Sequence, residues 1–465
     1  MKSISNDKPY DVVIIGGGAS GTALLYTFAR YTNTGRIALV EKYAALGSVN
    51  SNAKNNSQTL HVGEIETNYT AEKVQQVYPA SMMVKRYTDG LLKEERNQLI
   101  HPIQKMVLAV GAKEVEILEK RYPDLQKIFP ELQKLDGPGI AAVEPEVMKG
   151  RNMNEPVLAL FNPEGYTVNF GRLAESFGRE AQKNTDKHVE VLLNCEVKEI
   201  VREKDAYVLH TTNGTIRACA VVVDTDAYSL GFAKKLGYGN EFSLIPVAGS
   251  FYFSPELLRG KVYRVQVPSM PFAAVHGDPE LTTEHQTRWG PTARFYPVLE
   301  ARKFRTSASF FASSGLHKPQ TWLSFILILL NPMRFWYLLK NFFYDIPYIG
   351  KQLLLPELQK IVPTMRASDL KTAKGYGGMR LQRVDTNSHE LLLGEGKILG
   401  DHIIFNMTPS PGASVSLYNA MRDAETVVSF FDTYTFDKER MLNELSIAQI
   451  PLANVDPSLE SSYAS

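Results

Sequence analysis

The run Tyr10-Asp11-Val12-Val13-Ile14-Ile15-Gly16-Gly17-Gly18-Ala19-Ser20-Gly21 decides the fold. Its first six residues form a short, β-rich apolar stretch, and its glycines fall at G-x-G-x-x-G spacing. Leu24, Leu25 and Phe28 then recur at a helical period. The order is strand, glycine turn, helix. A second apolar strand over 36–40 ends in Glu41, twenty residues after Gly21. Each position has a physical reason. Gly16 permits the tight turn, Gly18 lets a pyrophosphate reach the backbone, and Gly21 lets helix and strand pack closely. The helix start, with Ser20 in its first turn, presents N–H groups and a positive dipole end to phosphates. Glu41 is placed to accept both hydroxyls of a ribose, and its charge disfavours a 2′-phosphate. The spacing therefore points to FAD or NAD rather than NADP.

The 465 residues (52.0 kDa) exceed one compact core and suggest two or three domain-equivalents. Hydrophobic residues are 44% and charged residues 22%, with 51 Lys+Arg against 50 Asp+Glu. That balance excludes a disordered chain and a dedicated nucleic-acid binder, which needs a basic surplus. The two cysteines, Cys195 and Cys219, stand in no metal-ligand spacing, so neither a disulfide scaffold nor a metal site is expected. The apolar run near the start is interrupted by glycines and reads as no signal peptide, so an intracellular location is expected. No window holds the roughly 20 uninterrupted apolar residues of a spanning helix.

Two further segments narrow the cofactor. Residues 50–63, NSNAKNNSQTLHVG, have neither helical nor strand period and read as a long loop suited to wrapping a flat ring with backbone donors. Near the other end, Gly377-Gly378-Met379-Arg380-Leu381-Gln382 is followed by Ile403-Ile404-Phe405-Asn406-Met407-Thr408-Pro409-Ser410-Pro411-Gly412-Ala413. There a strand runs into a Pro/Gly turn and then a helix over 415–430. The helix N-terminus suits an isoalloxazine carbonyl that becomes anionic on reduction.

These segments resemble the FAD-dependent D-amino-acid-oxidase and glycerol-3-phosphate-dehydrogenase superfamily. Within it, the chain is similar to the malate:quinone oxidoreductase family, in particular its shorter, ε-proteobacterial-like branch. The carrying residues are Asn56-Ser57-Gln58-Thr59-Leu60-His61, Ile65-Glu66-Thr67-Asn68-Tyr69-Thr70, and Pro246-Val247-Ala248-Gly249-Ser250-Phe251-Tyr252-Phe253. Pro271-Phe272-Ala273-Ala274-Val275-His276-Gly277-Asp278-Pro279, Gly290-Pro291-Thr292 and the 405–413 segment complete them. The resemblance covers about residues 10 to 430. It implies noncovalent FAD, oxidation of (S)-malate to oxaloacetate and transfer of electrons to a membrane quinone. It also implies FAD contacts from Lys42, Asn56, Ser57, Gln58, Thr59, Val197, Pro411, Gly412 and Ala413, beside Gly16, Gly18, Ser20, Gly21 and Glu41. Two positions depart from the family pattern. Asp226 stands where Gly is expected, which puts a carboxylate near the diphosphate, and Leu381 stands where relatives carry Pro.

The expected fold class is α/β: a discontinuous Rossmann-like FAD-binding domain with an α+β substrate domain built on an antiparallel sheet. The FAD-binding parts are residues 1–99, 166–245 and 375–453. The substrate parts are 100–165 and 246–374, and 454–465 is a loose tail. Strands are expected over 106–110, 247–253 and 262–267, and paired strands over 190–210 with a tight turn at Asn213-Gly214. A helix is expected over 114–121, and a turn at Asp136-Gly137-Pro138-Gly139.

Oxidising a 2-hydroxy acid needs a hydride acceptor, a base for the hydroxyl proton and cations for the carboxylates. His276 is the leading base, with Asp278 to stabilise its imidazolium; the bland alternative is a turn histidine. His61, in the loop that the resemblance lays against the flavin, is the second candidate. Arg380 is the leading carboxylate ligand, because a planar guanidinium binds a carboxylate through two bonds and its glycine-flanked setting resembles the substrate-facing family position. Arg288 and Arg264 are candidates for the second carboxylate, against a bland reading as salt bridges.

Residues 322–330, WLSFILILL, are broken by Asn331-Pro332 and followed by a second aromatic-rich stretch with Arg334 and Lys340. Pro332 stops any continuous helix short of a bilayer span. Residues 320–346 are therefore expected to dock on a membrane surface, or else to bury their apolar face in the substrate domain. The first option places the protein in the cytoplasm, peripherally attached to the inner face of the cell membrane. Two other functions share these features: an L-2-hydroxyglutarate dehydrogenase or oxidase of the same superfamily, and a noncatalytic flavin-binding protein. Sequence fixes no oligomeric state.

Overall fold

The computed structural model describes residues 4–5, 8–266, 275–280, 285–344, 346, 349–392, 395–408 and 411–447. The tail 454–465, the family segment 271–274, Pro409 and Ser410 lie outside them, as does the side chain of Arg334. Among the described residues the strands form three sheets. The first is built around the strand Tyr10–Ile15, whose Val12, Val13 and Ile14 are fully buried because layers cover both faces of a parallel sheet. Its central order is Gly396–Gly400, Ile403–Met407, Gly214–Val223, Tyr10–Ile15, Arg36–Val40 and His188–Leu192. All neighbours in that order are parallel except the first pair.

Helix Ala19–Tyr31 leaves the glycine turn and packs between helices Phe170–Gln182 and Ser416–Val428 on one face. The hairpin Val197–Glu203 and Ala206–Thr211, with helix Ala227–Lys235, covers the other. Thr211 pairs with Gly214 and closes the tight turn at Asn213-Gly214. The parallel order makes the carboxyl ends of Tyr10–Ile15, Arg36–Val40, Gly214–Val223 and Ile403–Met407 converge, which is where ligands bind in open α/β sheets.

The second sheet has the order Lys371–Thr372, Tyr252–Pro255, Gln286–Gly290, His276–Pro279, Lys261–Arg264, Ile100–Val110, Val157–Val168 and Gln133–Leu135. Its strands come from widely separated parts of the chain. It is antiparallel save one pair: Lys261–Arg264 runs parallel to Ile100–Val110 where the later strands meet the earlier ones. A third sheet, not anticipated from sequence, joins Phe242–Ala248 to Met379–Asp385. The 136–139 segment also differs from expectation. Asp136 accepts the Gly139 N–H (3.0 Å) and so caps a helix, Gly137–Val143, instead of a plain turn.

Helices Pro319–Leu329 and Pro332–Tyr344 break at Asn331-Pro332 as expected. The first is inside out. Thr321, Ser324 and Ile328 face the protein, while Trp322, Leu323, Ile326, Leu327 and Leu329 face solvent. Phe335, Trp336, Phe342 and Phe343 of the second helix are exposed too. No helix among the described residues is long and apolar enough to cross a membrane.

Candidate functional site

The convergent strand ends open into a cavity whose walls include Gly16–Gly21, Glu41, Lys42, Val197, Asp226, the 55–57 loop, Thr59, His61, Met379, Pro411 and Ala413. The turn that begins it has the geometry its glycines allow. Gly16 has φ +119°, and a Cβ there would sit 2.1 Å from the Asp224 carbonyl oxygen. A Cβ on Gly21 would lie 2.1 Å from the Gly16 carbonyl oxygen, whereas one on Gly18 would meet nothing nearer than Ser51 Oγ at 3.4 Å. The first and last glycines therefore serve chain packing, and the middle one leaves the backbone open to a ligand.

At the end of Arg36–Val40, Glu41 accepts N–H groups of Gly17 (2.7 Å) and Tyr43 (2.8 Å), one on each carboxylate oxygen. These bonds aim the carboxylate and leave each oxygen a further lone pair for a ribose hydroxyl. Lys42 pairs with Glu300, a wall residue that also accepts from Tyr43 (2.6 Å) and Tyr228 (2.8 Å). Burial opposes ionisation of Glu300, yet Lys42 and the donors around it bring its pKa down to about 2. This latch has no sequence signature, since its members come from three separate segments.

Loop 50–61 forms another wall and is held from behind by the second sheet. Lys105 donates to the Leu60 carbonyl (3.1 Å), Lys261 to that of Ser57 (2.8 Å), and the Tyr263 hydroxyl meets Thr59 Oγ1 at 2.7 Å. These three sheet residues are 4% exposed or less. Their charges are matched inside the protein, Lys105 by Glu64 and Lys261 by Asp278. Burial lowers the Lys261 ammonium pKa to about 8, although Asp278 opposes the shift. Gln58 is not a wall; it sits at φ 56° and its side chain donates to the Ala53 carbonyl (2.9 Å), bracing the loop from within. Gly412 is likewise behind the wall, between Pro411 and Ala413, and opens the turn that leads into helix Ser416–Val428.

The two candidate bases stand differently. His61 lines the cavity, with Nδ1 2.5 Å from Glu66 Oε1 and Nε2 3.3 Å from Ser57 Oγ. His276 is 2% exposed and is not a cavity wall. It stacks on the Tyr263 ring at 4.3 Å, with Nε2 3.4 Å from Asp278 Oδ2. Arg288, at 1% exposure, is paired with Glu280 (3.1 Å) and Asp278 (3.5 Å) and covers the Phe251 ring. So paired, it is not among the residues that line the cavity, which is the salt-bridge alternative for this arginine. Arg264 bridges Glu114 and Glu357 away from the cavity, which is the salt-bridge alternative. Arg380 is half-buried, opposite Val247, and directly follows the wall residue Met379.

Asp226 walls the cavity at φ 51°, the left-handed region that suits the glycine expected there. Its Oδ2 accepts from Asn50 (3.1 Å), and burial raises its carboxyl to about 7. The feared repulsion is thereby reduced, because the group carries a proton much of the time near neutrality.

The residues fit FAD. A glycine turn with an open Cα, a helix N-terminus, an aimed ribose carboxylate and a loop with its carbonyls tied back all face one cavity. Among the described residues no group of three His, Cys, Asp or Glu could hold a metal ion.

Comparison with known proteins agrees. Solved structures of similar fold include glycine oxidase from Geobacillus kaustophilus (TM-score 0.61, 18% identity, 95% of this chain and 99% of that one). Another is L-alpha-glycerophosphate oxidase from Mycoplasma pneumoniae with FAD bound (TM-score 0.60, 16% identity, 90% and 95% covered). The chain is 40% identical over 451 residues to a probable malate:quinone oxidoreductase of Campylobacter jejuni, covering 95% of this chain and 100% of the relative. It is 40% identical over 445 residues to the malate:quinone oxidoreductase of Helicobacter pylori, covering 94% and 98%. Residues 8–429 match the family model for malate:quinone oxidoreductase (Mqo), and the chain belongs to that family.

Proposed function

We propose that the protein is an FAD-dependent malate dehydrogenase that oxidises (S)-malate to oxaloacetate and delivers the electrons to a membrane quinone. The single observation that carries this reading is the family match over residues 8–429, seated on a cavity whose walls suit FAD. Bound FAD supplies the two-electron acceptor. The Gly16–Gly21 turn and helix Ala19–Tyr31 hold its diphosphate, Glu41 its adenosine ribose, and loop 55–61 with the start of helix Ser416–Val428 its ring. Arg380 holds a malate carboxylate. The cavity geometry favours His61 over His276 as acceptor of the hydroxyl proton, since only His61 is a wall residue. The division into cofactor and substrate domains follows the first and second sheets.

Quinone is membrane-bound, and the inside-out helices supply the contact. Helices Pro319–Leu329 and Pro332–Tyr344 lie in the headgroup region with Trp322 and Trp336 at the boundary and Lys340 beside them. The attachment is to the inner face of the cell membrane. A panel of 2-hydroxy acids with a quinone acceptor tests the substrate. The reading expects kcat/KM for (S)-malate to exceed that for L-2-hydroxyglutarate by at least tenfold; the reverse order would overturn it.

A further inference from the structure

We propose that Glu66 is a positioning residue that makes His61 the base of the reaction, by fixing the imidazole with its Nε2 lone pair toward the cavity. The inference rests on the malate dehydrogenase reading and adds a second residue to it. Glu66 is 6% exposed and lies 2.5 Å from His61 Nδ1. Burial opposes the charge on Glu66, but the His61 ring and Lys105 prevail and hold its carboxyl below the ordinary range. An ionised carboxylate has no proton to give, so the proton between the two groups resides on Nδ1. In its neutral form a ring so protonated presents Nε2 as an acceptor, beside the hydroxyl of Ser57 (3.3 Å), another wall residue.

The surroundings keep this orientation. Arg121 donates to the carbonyls of Glu66 (3.3 Å) and Tyr69 (2.7 Å) and so clamps the segment that carries the carboxylate. His61 is anchored by its N–H to Ser414 Oγ (3.0 Å) and by its carbonyl, which accepts from Ser81 (2.6 Å). The ring of Tyr263 meets the imidazole edge-on at 6.5 Å. The ionisable groups around the pair are therefore Tyr263, Lys105 with its partner Glu64, and Arg121. His276 is arranged differently, because Asp278 is shared among His276, Lys261 and Arg288.

In the step assigned to the pair, the O–H bond of the substrate hydroxyl breaks and a new N–H bond forms at His61 Nε2. The electron pair left on oxygen becomes the second bond of the product carbonyl, and the C2 hydride leaves to the flavin of the proposed function. The positive charge that appears on the ring is met at Nδ1 by Glu66.

The test is Glu66→Gln in the FAD-loaded full chain. We expect retained FAD and visible spectrum, a KM within about threefold of wild type, and a kcat lowered roughly 100-fold, the scale of one acid–base group. Glu66→Asp should recover part of kcat. Proton NMR gives a readout without substrate: a far-downfield imidazole N–H resonance expected in wild type and in His276→Asn, and lost in Glu66→Gln and His61→Asn. An unchanged kcat in Glu66→Gln, or a resonance that survives it, would overturn the pair. Should Glu66→Gln not fold, His61→Gln keeps a donor toward Glu66, and wild-type kcat there would overturn the pair as well. Failure of the malate reading looks different: wild-type flavin is then not reduced by malate, while the resonance still reports on the pair.

Discussion

Replacing Trp336 by Ser probes the proposed membrane-docking face at one of its most exposed rings. Trp336 is 65% exposed and Trp322 53%. A tryptophan side chain carries on the order of 250 Å² of surface, so each ring leaves roughly 150 Å² open to water. At about 25 cal/mol per Å², full transfer of that area would contribute about 4 kcal/mol. A ring at the headgroup boundary loses only part of its hydration, and half the area gives about 2 kcal/mol per ring. Trp336→Ser should therefore weaken partition onto lipid vesicles about 30-fold, and the Trp322→Ser/Trp336→Ser double variant several-hundred-fold. The assay is co-sedimentation with vesicles, paired with malate oxidation using first a water-soluble acceptor and then a quinone embedded in the vesicles. The first activity should stay at the wild-type level, because neither Trp322 nor Trp336 lines the cofactor cavity; the second should fall with binding. Wild-type partition of the double variant would show that these rings do not contact the membrane.

Three further outcomes follow from the site. Gly16→Ala must place a Cβ 2.1 Å from the Asp224 carbonyl at φ +119°, so the strand end has to move; FAD content after purification should drop to near zero, checked by flavin absorbance. Asp226, with its pKa raised from 3.8 to about 7, binds more protons folded than unfolded between those values, so its contribution to stability declines as pH rises from about 4 to 7. Asp226→Asn should accordingly stabilise the protein at pH 8 by on the order of 2 kcal/mol and little at pH 4. It should also flatten the rise in FAD dissociation constant expected above pH 7, measured by flavin fluorescence. Arg380→Lys keeps the charge but loses two-bond recognition, and should raise the malate KM at least tenfold; unchanged malate kinetics would remove Arg380 from the carboxylate site.

Much of this was legible where local chemistry and fold agree. The run 10–21 announces its strand, turn and helix because each glycine answers a short-range steric demand, and Glu41 follows from the length of one βαβ unit. Pro332 marks the helix break for an equally local reason. Long-range pairing was not legible. Glu66 is five residues from His61, a spacing with no regular period, and only the fold of loop 50–70 joins them. Arg288 offered two readings, ligand or salt bridge, because an isolated arginine carries no record of Glu280 and Asp278, which pair with it in the fold. The parallel junction between Lys261–Arg264 and Ile100–Val110 is likewise a property of how distant segments meet. The inside-out helix Pro319–Leu329 shows the converse. Its composition suited core and surface equally, and only the inward placement of Thr321 and Ser324 separates them.

If malate gives its electrons to a flavin held in this cavity and a quinone takes them away, the flavin spectrum must follow both transfers. Anaerobic mixing of the FAD-loaded protein with (S)-malate, followed at the flavin absorption band, tests it directly. The band should bleach within a single turnover and return on adding a quinone. A flavin that stays oxidised under excess malate would contradict it.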